Sequence, residues 1–242
     1  TSAAPLGYTA EDAANKQNNL NADGTGVKYA TIDAINGGIV KLTDNQTIAG
    51  VKTFSSDALI NGVAVGRGVG SAISNTAIGN QCFIANTTGS DNTTIGYQSL
   101  KSNTSGNANT VVGRSALQEN LTGLSNTANG RSALKNNTSG NNNTAYGAYS
   151  LEENSTGSNN TAIGESSLKL KATGSFNVAI GYNCARTISD KVTSATVLNN
   201  SIMIGASASP LADNETNQIV IGHDSIGLGS NTSVLGNLST LF

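Results

Sequence analysis

Apolar and polar positions recur along this chain at every seventeenth position, from Asn75 to about Arg186. Units open Asn-Thr-x-x-Gly at Asn75, Asn92, Asn109, Asn126, Asn143 and Asn160, and a seventh begins Asn177-Val178-Ala179-Ile180-Gly181. Just before the glycine stand Ile78, Ile95, Val112, Asn129, Tyr146, Ile163 and Ile180. Four positions after it a second column holds Phe83, Leu100, Leu117, Leu134, Leu151, Leu168 and Ala185. A second glycine follows ten positions after the first, as at Gly89, Gly106 and Gly123. An unbroken period of this kind is the mark of a stacked repeat architecture.

A unit this short holds too little apolar surface to close a core, so each must bury its apolar columns against copies above and below. Helical repeats are longer, about 33 residues or more, and two glycines per unit interrupt any window long enough for a helix. Short apolar runs bounded by Gly, Asn and Ser fit strands instead. The expected unit is a coil of two short strands and two turns. Ile78, Ile95, Val112, Ile163 and Ile180 with Leu100, Leu117, Leu134, Leu151 and Leu168 are then the structural stack, and Asn129 and Tyr146 interrupt its inner column and widen it locally. Both glycine columns are expected to supply positive φ, and the Asn columns to accept left-handed geometry and hydrogen-bond neighbouring backbone. At a rung spacing of about 4.8 Å, seven units span on the order of 35 Å. Two large apolar residues per coil do not offset a backbone ordering cost of about 1–2 kcal/mol per residue. That deficit predicts further burial between chains, as a homotrimer.

The flanks divide accordingly. Residues 1–40 read as a connector with a short helix over Thr31–Asn36, capped by Thr31 and ended by Gly37-Gly38. Residues 41–72 read as a β shaft, with period-2 alternation from Thr47 to Phe54, followed by a shortened first unit that caps the stack. Residues 73–186 are the seven repeats. In residues 187–242 an insertion widens the step from Gly181 to Gly205; Gly222 then follows at the regular interval and Gly236 after a shorter one, as a distal cap. The fold class is therefore all-β, a trimeric parallel β-solenoid or β-roll of 17-residue coils with a short helical and β-shaft N-terminal connector.

Composition narrows the chemistry. Charged residues make up 12% and the formal charge is −2, with Lys and Arg scattered, so no basic face invites nucleic acid. No apolar run approaches the roughly 20 residues of a membrane span, and membrane insertion is not expected. Cys82 and Cys184 lie six units apart, too far to pair within a chain, in a column otherwise filled by Ser and Ala; they read as small buried core residues. His223 is the sole histidine, and no motif marks a serine and an acid to complete a triad. Asp190, Asp213, Glu215 and Asp224 gather distally without the Asp-x-Asp-x-Asp-Gly spacing of a calcium loop. No catalytic residue, metal ligand or cofactor is assigned, and the chain reads as a non-enzyme.

Residues just after the unit glycine are not dictated by stacking. They include Tyr97, Arg114, Arg131, Tyr149 and Tyr182, a stripe expected to contact a glycan or a cell-surface protein, because Tyr and Arg carry much of the energy of interfaces. Several stretches resemble known fibres. Leu6-Gly7-Tyr8-Thr9-Ala10-Glu11-Asp12 and Lys28-Tyr29-Ala30-Thr31-Ile32-Asp33 resemble the connector of tailed-phage tail fibre proteins. Asn45-Gln46-Thr47-Ile48-Ala49-Gly50-Val51-Lys52-Thr53-Phe54 is similar to a segment of their shafts, and the repeat unit is similar to fibre repeats of phages and phage-like tails. A looser likeness joins it to the heads of trimeric autotransporter adhesins, whose units are shorter. Both likenesses imply homotrimers of stacked β-coils that bind surfaces without catalysis. For a fibre they further imply a virion-tail, extracellular location, with other tail or baseplate proteins and a host-surface glycan or protein as partners. The alternatives are the passenger head of a bacterial trimeric adhesin, a polysaccharide-depolymerising tailspike, and ice binding by an exposed Thr array.

Overall fold

The computed structural model describes residues 63–236, apart from 73, 171–172 and 191–196, with three strand pieces ahead of them at 20–21, 28–29 and 58–60. The chain divides into two units, Thr1–Lys52 and Thr53–Phe242. In the first, strands β1 (Leu20–Asn21) and β2 (Lys28–Tyr29) pair antiparallel. The helix expected over Thr31–Asn36 and the alternating strand over 47–54 lie outside the described residues.

The second unit is a parallel β-solenoid, with no helix among its described residues. It opens with β3 (Ala58–Ile60) and β4 (Val63–Gly66), and each repeat then contributes one three-residue strand: β5 (Thr76–Ile78), β6 (Thr93–Ile95), β7 (Thr110–Val112), β8 (Thr127–Asn129), β9 (Thr144–Tyr146), β10 (Thr161–Ile163) and β11 (Val178–Ile180). The distal end adds β12 (Leu198–Asn199), β13 (Ile202–Ile204), β14 (Glu215–Thr216), β15 (Ile219–Ile221) and β16 (Ser233–Leu235). All but β12 and β14 form one 12-stranded sheet, in which every strand from β5 onward pairs parallel and in register with the next.

A three-residue strand turns only its middle side chain to one face. In every coil that middle residue is the buried one: Ala77, Thr94, Val111, Ala128, Ala145, Ala162, Ala179, Met203, Val220 and Val234. The Ile column therefore points outward, contrary to expectation. Ile95 (39%), Val112 and Ile163 (40%) are exposed, and Ile78 and Ile180 are half-buried. The interior is already filled from the opposite side by the Leu column, and mid-strand residues through the repeats are Ala, Thr or Val; the larger Met203 stands only where that column shrinks to Ala185. Nor do Asn129 and Tyr146 widen the stack, because they too stand outside, paired in register with Val112, with each other and with Ile163.

The opposite side is the Leu column. Phe83, Leu100, Leu117, Leu134, Leu151, Leu168 and Ala185 are fully buried, but not on a second strand. Each holds φ between 48° and 53°, the left-handed region. For a non-glycine residue that costs roughly 1–2 kcal/mol, offset by burial of about 1.5–3 kcal/mol and by a backbone bond to the next coil, such as Leu117 N–H to Ala133 O at 2.8 Å. Of the two glycine columns only the first has positive φ, 123° to 141° from Gly79 to Gly222. The second is glycine for lack of space: a Cβ on Gly106 would lie 2.5 Å from the Gly123 carbonyl oxygen.

Two buried asparagine ladders run the length of the repeats. In the first, Asn126 N–H and Nδ2 both donate to Asn109 Oδ1 (2.9 and 3.2 Å), and Nδ2 also donates to Gly140 O at 2.9 Å. The same pattern recurs from Asn75 to Asn177. In the second, Asn103, Asn120, Asn137 and Asn154 each donate to the Asn Oδ1 one coil back. No asparagine of either ladder is left-handed, but the expected bonds to neighbouring backbone form, as from Asn126 and Asn137 Nδ2 to Gly140 O.

The ends depart from the period without breaking the sheet. At the start, β4 pairs antiparallel with both β3 and β5, so a hairpin, rather than a shortened parallel coil, covers the first rung. The insertion after β11 does not interrupt the sheet, since Val178 pairs directly with Ile202, while β12 pairs with β14 in a sheet of their own. Where the Leu column shrinks to Ala185, buried Leu198 and Met203 supply volume to the same core, as close packing requires. Cys82 and Cys184 are buried, and their thiols donate to Gly79 O and Met203 O.

Candidate binding surface

The stack sets every side chain on its surface in a column, one rung above the next. The first position after the unit glycine turns outward, and Tyr97, Arg114, Arg131 and Tyr182 are exposed or half-exposed there on successive or nearby coils. Tyr149 stands at the second position, half-buried, with φ 60°. That second position is left-handed in every repeat but not uniformly solvent-facing: Gln81 is exposed and Gln98 and Asn183 are half-buried, whereas the shorter Ser115, Ser132 and Ser166 are buried.

Cations approach rings between neighbouring coils at three places. The Arg114 guanidinium lies 5.8 Å from the Tyr97 ring centre, and Arg131 lies 5.2 Å from that of Tyr149. Lys169 Nζ approaches the Tyr149 ring to 4.6 Å and pairs with Glu152 at 3.0 Å. Four of the five residues in the expected stripe thus meet in two groups, Tyr97 with Arg114 and Arg131 with Tyr149; Tyr182 stands apart on its own coil. A guanidinium stacked on a ring is held in place through its flat face and keeps its edge N–H donors in plane for a bound acceptor. Lys169 was not singled out from the sequence. The signal was there, five positions after the glycine, where Lys101, Lys135, Lys169 and Arg186 recur.

Around the corner lies the outer face of the sheet, two columns wide. One column runs Thr76, Thr93, Thr110, Thr127, Thr144, Thr161, then Val178, Ile202, Ile219 and Ser233. The other runs Ile78, Ile95, Val112, Asn129, Tyr146, Ile163, Ile180, Ile204, Ile221 and Leu235. The second column is apolar on every rung but the two in its middle, and it lies open or half-open to solvent throughout. The period located these residues, while hydrophobicity turned them the wrong way.

The distal acids do not converge. Asp213 accepts from Val197 N–H at 2.7 Å, Glu215 from Ser230 Oγ at 2.6 Å, and Asp224 lies 3.3 Å from His223 Nδ1. Among the described residues no three His, Cys, Asp or Glu side chains are grouped to hold a metal ion, and no helix is long and apolar enough to cross a membrane. Asp91 has its carboxyl held below the ordinary range by hydrogen bonds from Ser90 and Ser74. Compared with family models, curated proteins and solved structures, the chain matches none.

Proposed function

We propose that this chain is a structural and host-recognition component of a phage or phage-like tail fibre, a homotrimeric rod that presents a receptor-binding surface. One observation carries the reading: a stripe of outward Ile, Val and Leu, broken only at its two middle rungs, on an in-register sheet. Large apolar stripes are not left in water on soluble monomers. A surface repeating at each rung is matched best by one with the same spacing, which another copy of this chain supplies. Three copies turned inward on this face leave the Tyr and Arg columns around the corner available. Their paired guanidinium and ring groups suit a host-surface glycan, with rings for sugar faces and edge donors for hydroxyl or carboxylate oxygens.

The test is the mass of the full chain in solution by light scattering. A trimer is expected, with three times the 24.4 kDa of one chain. Ile163→Asp, which sets like charges against one another on the proposed interface, is expected to yield single chains. A monomeric wild type refutes the reading. For recognition, Arg114→Ala with Arg131→Ala is expected to abolish binding on an array of bacterial surface polysaccharides while the mass stays that of three chains.

The outward Thr column supports a second reading, ice binding by a flat hydroxyl array, since Thr76 and Thr110 are exposed and four more are half-exposed. Thermal hysteresis tests it. The tail-fibre reading expects none, because the same face would be covered by copies.

A further inference from the structure

We infer that Asn129 and Tyr146 set the axial register in which copies of this chain associate. The inference rests on the proposed self-association through the outer face of the sheet and adds a specificity device to it. The problem it solves is built into the repeat. From β5 to β10 most strands show the same outward pair, Thr with Ile or Val, at one rung per coil. A copy displaced by one rung, about 4.8 Å, meets almost the same surface as a copy in register. Apolar contact alone discriminates weakly between the two, since only one rung of burial is lost at each end.

The outer Ile column departs from aliphatic character at two positions among ten rungs, and they are adjacent and central. Asn129 is half-buried and Tyr146 is 57% exposed, with no hydrogen bond from either side chain to the other described residues. They carry the donors and acceptors that the rest of this column lacks, one rung apart. When copies align, the amides and phenols of all chains lie at the same two heights, where they can bond one another. A one-rung slip sets Asn129 against Val112 and Tyr146 against Ile163, with one chain's Asn129 facing the other's Tyr146 between them, so the amide and the phenol at the two outer contacts are left unpaired. A polar residue in an otherwise apolar seam commonly specifies register in this way. Each unpaired group disfavours the slipped state by roughly tenfold.

Two variants test this with the full chain. Asn129→Ile with Tyr146→Ile restores the column and leaves the coil interior untouched, so it should fold. Its copies are expected to associate with staggered ends whose uncovered rungs recruit further chains, giving a broad mass distribution that grows with concentration. The exchanged variant, Asn129→Tyr with Tyr146→Asn, keeps a mark but inverts it, and should remain a single species of three chains. Unfolded together and refolded with a mass-tagged wild type, the exchanged chain is expected to sort away, with mixed trimers at least tenfold below the statistical share. Native mass spectrometry reads both. A monodisperse aliphatic variant, or statistical mixing of the exchanged chain, overturns this inference and leaves the trimer standing. A monomeric wild type overturns both.

Discussion

Removing one rung of an asparagine ladder is predicted to cost more than removing any surface group. Asn126 is fully buried and its carboxamide is saturated: Nδ2 donates to Asn109 Oδ1 and Gly140 O, and Oδ1 accepts from the backbone N–H and Nδ2 of Asn143. Asn126→Ala takes one partner from the Gly140 carbonyl and the sole acceptor from the Asn143 N–H. Asn143 Nδ2 keeps Gly157 O, and Asn109 Oδ1 keeps the residue 126 N–H, so neither of those is orphaned. Gly140 O keeps Asn137 Nδ2 at 3.0 Å, so the Asn143 N–H is the one group left unpaired, and the loss is on the order of 1–3 kcal/mol per chain. In a trimer the loss occurs three times in one cooperative unit. Denaturant unfolding followed by circular dichroism reads it, with Thr127→Val on the next residue as a control expected within about 0.5 kcal/mol of wild type. An Asn126→Ala loss as small as that of the control would refute the account of the ladder as what holds coil to coil.

Other substitutions probe the remaining columns. Gly130→Ala places a methyl group 2.6 Å from the Gly147 carbonyl carbon and oxygen at φ 140°, and is predicted to lose more than about 4 kcal/mol or not to fold, as read by the same melt. Cys82→Ser and Cys184→Ser should each stay within about 1 kcal/mol of wild type. Cys82 Sγ donates to Gly79 O as Ser99 Oγ does to Gly96 O, and Cys184 Sγ donates to Met203 O as Ser167 Oγ does to Ala179 O. In the native wild type both thiols should resist a thiol reagent until unfolding. Asp91, with its folded pKa lowered from 3.8, contributes stability that is present above that value and lost as pH falls through the folded pKa. Wild type should therefore exceed Asp91→Asn in melting temperature at neutral pH and converge with it in strong acid.

The period and the in-register stacking were legible in the sequence, because a column that never slips leaves one way to stack, whereas the second strand expected in each coil is absent and the Leu column lies outside any strand. The facing of the Ile column was not. In Thr-Ala-Ile the large residues flank the small one, and hydrophobicity alone sends Ile inward; the interior volume, already occupied by Leu117 and its equivalents, decides otherwise. Leu in a left-handed conformation has no local signature, since it is imposed by bonds to the next coil. The alignment of Tyr97, Arg114 and Arg131 followed from the period. The Lys169 approach to Tyr149 depended on side-chain reach between two columns, and spacing does not encode that.

Hydroxyl-radical labelling of the intact chain in solution reaches the central claim most directly. Tyr146, on the outer face of the sheet, and Tyr182, around the corner, are 57% and 55% exposed in a single chain. Being the same residue type, they should react alike if the chain stands alone. Burial of the sheet face between copies predicts strong protection of Tyr146 while Tyr182 labels freely; equal labelling of the two would contradict it.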